Sequence, residues 1–122
     1  MRTEVRPMGG IVPFESGALP WQGVPGDWPG KVRAGEPDVR YKVLTEPRGA
    51  VPGIQLVEFE PGHFEAPHSH PEGEVLYVLR GEMSIGELSL KPGAGAVIEK
   101  DTVYGPLRTG PEGASFLRVG LG

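Results

Sequence analysis

From Tyr41 onward the chain alternates short apolar runs with breakers. The runs are Tyr41–Leu44, Ile54–Glu60, Val75–Arg80, Met83–Leu90, Ala96–Glu99, Thr102–Leu107 and Ala114–Val119. Pro52-Gly53, Pro61-Gly62, Pro71 with Gly73, Gly81, Pro92-Gly93 and Gly110-Pro111 separate them. Apolar runs this short, bounded by Gly and Pro, read as strands joined by turns. None carries a helical stripe, and proline recurs too often for long helices, because it lacks an N–H and clashes with the preceding turn. The pattern predicts an all-β sandwich or barrel over residues 40–122.

Residues 1–39 have a different texture. They hold six prolines and seven glycines, with Phe14, Trp21 and Trp28 spaced among them and no sustained period. A free tail rarely carries two tryptophans. This segment is expected to be an extended arm whose aromatics pack on the barrel or on a partner subunit, and a homodimer is the expected assembly.

Composition narrows the function. With no cysteine in 122 residues, disulfides, thiol catalysis and zinc fingers are excluded. The net charge is −4, and residues 51–122 carry ten acidic side chains against five basic ones. A nucleic-acid partner calls for a basic face, so none is expected. No apolar run reaches membrane-span length and no apolar signal core opens the chain, so no membrane partner and a cytoplasmic location are expected.

The candidate chemistry is concentrated in a few residues. His63, His68 and His70 are the only histidines. On a strand, His68 and His70 project from one face. Pro71-Glu72-Gly73 then reads as a turn that brings Glu74 beside them. Two imidazoles and a carboxylate suit a divalent transition ion (Fe, Zn, Ni or Mn) with positions left open for substrate. His63 and Glu72 are expected at exposed turns; a fourth-ligand role for His63 would need the chain to fold back on itself. Tyr77 should face away from Glu74, while Leu76, Val78 and Arg80 share its face. Thr102 and Pro106 flank Tyr104 in the same way, and Ile54, Leu56, Val57 and Phe59 supply apolar wall. Arg40, Arg108 or Arg118 could bind a substrate carboxylate, but each is expected as a surface charge.

Gly62, five residues, His68, one residue, His70, three residues, Glu74, six residues and Gly81 form a spacing that resembles the first motif of the cupin family. The resemblance spans about residues 54–119. It implies a double-stranded β-helix, or jelly-roll barrel, with the site inside its mouth. It also implies His68, His70 and Glu74 as metal ligands. The second motif departs from the family. Glu99-Lys100-Asp101 follow Gly93 where Pro-x-Gly is expected, Arg108 replaces a terminal Asn, and Tyr104 stands where the fourth ligand, a histidine, belongs.

Three arrangements follow: a three-ligand metal with Tyr104 donating nearby, a Tyr104 phenolate ligand, or an organic pocket without metal. The expected function is a metal-dependent enzyme acting on a small organic molecule, of dioxygenase, isomerase, cyclase or lyase type, with Glu74 and Tyr104 catalytic. The alternative is a ligand- or metal-sensing module without turnover.

Overall fold

The computed structural model describes residues 10–23 and 39–121. Trp28 and most of the expected arm therefore lie outside the described residues. Among the described residues eight strands follow a 3-10 turn at Ser16–Ala18: β1 (Gln22–Gly23), β2 (Val39–Thr45), β3 (Ile54–Phe59), β4 (Phe64–Glu65), β5 (Glu74–Ile85), β6 (Leu88–Leu90), β7 (Gly95–Ile98) and β8 (Leu107–Gly120). All pairings are antiparallel. The order is β1-β2-β3-β8-β5-β6, with β4 on β8 and β7 on β5. The fold is the expected all-β jelly roll. Among the described residues no helix is long and apolar enough to cross a membrane.

Cross-strand register sets the interior. Val39, Tyr41 and Val43 of β2 face Phe59, Val57 and Gln55 of β3, which in turn face Ala114, Phe116 and Arg118 of β8. Leu76 and Val78 of β5 continue these rows. Val57, Val78 and Ala114 are fully buried, and Phe59 meets Phe116 edge-on at 5.1 Å. One end of the barrel is thus packed shut with apolar side chains. Polar groups occupy the other end.

The two longest strands, β5 and β8, were each expected to break, at Gly81 and at Gly110-Pro111. Neither does. Gly81 sits inside β5 at φ 78°, and Gly113 inside β8 at φ 72°. A Cβ on Gly81 would fall on the Gly113 carbonyl oxygen, and one on Gly113 would fall on that of Phe59. These glycines let two continuous strands kink and cross closely where they pass from one sheet of the barrel to the other. Thr102–Leu107 is the opposite case. It is loop up to Pro106, with Tyr104 alone in a bridge, and Thr102 is exposed.

The kink also changes which face Arg80 occupies. Its register shifts after Val78, so Arg80 turns outward rather than joining Glu74. There it reaches Glu58 at 3.3 Å and the Ser115 hydroxyl at 3.1 Å. Burial pushes the Glu58 pKa up, but Arg40, Ser115 and Arg80 outweigh it and leave the carboxyl below its usual range. Tyr77 faces out as expected, 46% exposed. β1 pairs Gln22 and Gly23 with Tyr41 and Arg40 of β2, the Lys42 ammonium donates to the Ser16 carbonyl at 2.8 Å, and Trp21 covers the Arg40 guanidinium at 4.3 Å and the Lys42 ammonium at 4.8 Å.

Candidate active site

The polar end of the barrel is assembled by three segments. β5 opens with Glu74, whose inward side chain is almost fully buried. The segment before it carries His68 and His70. The 99–106 loop carries Tyr104 and is tied to that segment by backbone bonds. The His68 N–H donates to the Tyr104 carbonyl at 3.1 Å, and the Tyr104 N–H returns a bond to His68 at 2.9 Å. The Asp101 N–H donates to the His70 carbonyl at 2.7 Å. The result is a tight ring cluster, with His68–His70 centroids at 5.0 Å and His68–Tyr104 at 4.8 Å.

Glu74 is the hub. The Tyr104 hydroxyl donates to its Oε1 at 3.0 Å. Its Oε2 accepts from Arg118 Nε at 2.8 Å and lies 2.6 Å from Arg118 Nη2. Arg118 was expected on the surface, but β8 pairs it with Leu76 on the inner face, one step from Glu74. Arg40 does point outward and Arg108 stacks on Phe64 at 5.2 Å. The buried carboxylate thus has a guanidinium as its counter-charge, which is how a protein holds such a group without a prohibitive desolvation cost.

His63 and Glu65 correct the reading further. His63 is not an exposed turn residue; it is buried and stacks on Phe59 at 4.0 Å. Its Nε2 lies 2.9 Å from Glu65 Oε2, with both side chains nearly inaccessible. Glu65 Oε1 is 4.0 Å from His68 Nε2. No motif marks Glu65. The signal that could have found it is the period-2 pair His63 and Glu65 after Gly62, but the inward parity is odd there and even from His68 onward. The backbone changes phase across Ala66-Pro67, and a sequence carries no sign of where that happens.

Environment assigns protonation roles. Burial pulls the His70 pKa down, helped by Arg118 and His68 and opposed by Glu74, so His70 is a neutral base at pH 7. Burial and then Glu74 drive the Tyr104 pKa well above the ordinary phenol value. Tyr104 therefore keeps its proton and serves as a hydrogen-bond donor to Glu74. His68 Nδ1 lies 2.9 Å from the Ala66 carbonyl, so this nitrogen carries the hydrogen and Nε2 is left bare in the neutral ring.

Among the described residues no three His, Asp or Glu side chains are grouped so as to hold a metal ion. Both Glu74 oxygens are already engaged, one by a cation. For His68, His70 and Glu74 to hold an ion together, Arg118 would have to release Glu74.

Residues 55–120 match the Cupin domain family. The chain is a cupin. Similar solved structures confirm the fold of this cupin. The polyketide cyclase RemF from Streptomyces resistomycificus superposes with a TM-score of 0.71 at 24% identity, covering 90% of this chain and 78% of that one. A sugar phosphate isomerase from Silicibacter pomeroyi gives 0.69 at 21% identity, with 89% and 74% coverage. Fe(II) HppE gives 0.66 at 19% identity, and the cupin spans 61% of that longer chain. No curated protein matches the cupin by sequence.

Beside the cluster, beneath the 45–53 loop, lies a cleft of about 680 Å³ bordered by Gln55 and Arg118. Gln55 Oε1 is buried and has no hydrogen-bond partner among the described residues. Such a group typically costs about 1–3 kcal/mol of stability and calls for an explanation.

Proposed function

We propose that this cupin is an enzyme that moves protons on a small carbonyl-bearing organic molecule, as isomerases, cyclases and lyases do. The observation that carries the reading is the convergence of Tyr104 and Arg118 on Glu74, beside the neutral base His70. In this reading His70 takes a proton from carbon next to the carbonyl. Arg118, held by Glu74, donates its remaining N–H groups to the oxygen as negative charge develops on it, and the Tyr104 hydroxyl turns from Glu74 to give that oxygen a further hydrogen bond. The enzymes among the similar structures, a cyclase and an isomerase, support the class without naming the substrate.

Deuterium wash-in tests this directly. Small 2-keto acids, 1,3-diketones and ketoses are incubated with the cupin in D₂O and followed by NMR. Exchange well above buffer is expected for at least one compound. It should fall by about 100-fold in Tyr104→Phe and in His70→Ala, the usual range for losing one acid–base group. Exchange that matches buffer across the panel, or survives both substitutions, would sink the proposal.

A metal-dependent form of the enzyme is a second reading, favoured by one observation. His68 Nδ1 is held by a backbone carbonyl, as the second nitrogen of a ligating histidine usually is. In this form His68, His70 and Glu74 would hold Fe, Zn, Ni or Mn, and Arg118 would have to release Glu74. Elemental analysis of protein purified without chelator, beside a His68→Ala/His70→Ala double variant, decides it. Near-stoichiometric metal lost in the double variant supports the reading, and no uptake even on soaking removes it.

The reading also takes the cupin as a homodimer joined through its outer face, where Tyr77, Leu79 and Val97 are 46%, 44% and 67% exposed. An uncharged apolar patch of this kind can meet its own copy about a two-fold axis. Light scattering should give a dimer that Tyr77→Glu dissociates; a monomeric wild type would end this part of the proposal.

A further inference from the structure

The cleft under the 45–53 loop has features that the acid–base cluster does not use. Gln55 and Arg118 are direct cross-strand partners on β3 and β8, side by side on the inner face. Gln55 presents a buried acceptor with nothing to receive. Arg118 spends Nε and Nη2 on Glu74, and its Nη1 has no partner among the described residues. Arg48 also borders the cleft with no side-chain partner among the described residues. Its loop is held in shape by Thr45, whose hydroxyl donates to the Pro52 carbonyl at 2.7 Å.

We infer that this cleft is a binding subsite for a polyhydroxy monocarboxylate, with a ligand hydroxyl donating to Gln55 and the carboxylate taking the free N–H groups of Arg118 and Arg48. The donor pattern dictates the class. An unpartnered amide oxygen asks for an O–H or N–H, and a guanidinium with spare N–H groups asks for a carboxylate. Glu46 and Glu72 line the same cleft and Glu74 already draws on Arg118, so Arg48 and Arg118 leave nothing to offset a second negative group such as that of a phosphate or dicarboxylate. The volume, about 680 Å³, is in the usual range for small-molecule sites. The inference deepens the reading above, because Arg118 belongs to both, and it assigns the substrate's polar end to this cleft.

The test is calorimetric titration with three probes of similar length: D-gluconate, hexanoate, which lacks the hydroxyls, and glucitol, which lacks the carboxylate. Gluconate is expected to bind the wild type, and each of the other two at least about ten-fold more weakly, as the loss of a hydrogen bond to a buried or charged group implies. Gln55→Leu should weaken gluconate by a similar factor while its own melting temperature stays level or rises, since the unpartnered oxygen is gone. That pairing of lost binding with retained stability separates a ligand contact from a structural one. Arg118→Lys keeps a cation against Glu74 but removes the fork, and should also lose affinity.

Tyr104→Phe should bind gluconate as the wild type does even where it no longer exchanges deuterium. The subsite and the chemistry can therefore fail separately. Equal binding of gluconate and hexanoate, unchanged binding in Gln55→Leu, or no gluconate binding by the wild type at high millimolar concentration would each overturn the inference.

Discussion

Replacing Arg118 by methionine should destabilise the cupin by about 2–4 kcal/mol, read as a lower urea midpoint and a melting temperature reduced by roughly 10 °C. The size follows from what is left behind. Glu74 is only 2% exposed and its main counter-charge is Arg118, itself 22% exposed. Removing one partner of such a pair strands the other, and that stranded charge is the larger part of the cost. Tyr104 keeps one hydrogen bond to Glu74 Oε1, and the partial exposure of Arg118 lets water reach the gap, so the estimate sits below the cost of a fully buried pair. Adding Glu74→Gln to Arg118→Met should recover most of the loss, because the amide keeps the Tyr104 bond without the charge. A double variant no more stable than Arg118→Met alone would mean that the arginine acts by packing rather than as a counter-ion.

Gly81→Ala should be at least as damaging, about 3 kcal/mol or more, with Gly62→Ala as its control. Both glycines have positive φ, 78° and 75°, so both substitutions carry the same backbone strain. They differ in what surrounds them. At Gly62 a new Cβ meets nothing within 4 Å, so the cost should stay near 1 kcal/mol. At Gly81 it would strike the Gly113 carbonyl and sit 2.9 Å from the Ala114 Cα, backbone atoms that cannot yield without opening the β5–β8 pairing. Chemical denaturation of the two variants gives the comparison. Equal costs would show that close approach of the strands is not why Gly81 is needed, and that turn-like φ alone explains it.

Much of the fold was legible because it depends on local chemistry. Strands at Ile54–Phe59 and Gly95–Ile98 fall where apolar runs meet Pro-Gly breakers, since those residues impose backbone angles wherever they sit. The motif likewise brought His68, His70 and Glu74 to one end of a barrel. The errors share a cause. Gly81 reads as a turn in sequence, and only the neighbouring β8 backbone turns it into a strand kink. Arg80 was placed by strand alternation and Arg118 by its charge, but a register shift sends the first outward and an unbroken β8 sends the second in. Thr102–Leu107 is apolar enough for a strand, yet only Tyr104 finds a partner before Leu107.

By itself the sequence determined the all-β class, the family and the set of titratable groups that share the barrel mouth, because spacing and turn chemistry act over a few residues. The tertiary structure alone decided how those groups are paired. Glu74 meets Arg118, 44 residues away, and not an assembled trio of ligands. His63 and Glu65 pack inward as a buried pair, and Gln55 is left with an open acceptor beside a cleft. Such pairings depend on strand register and on where the chain changes phase. These are set by which distant strands bury each other's apolar faces, a property of the whole barrel that no local pattern encodes.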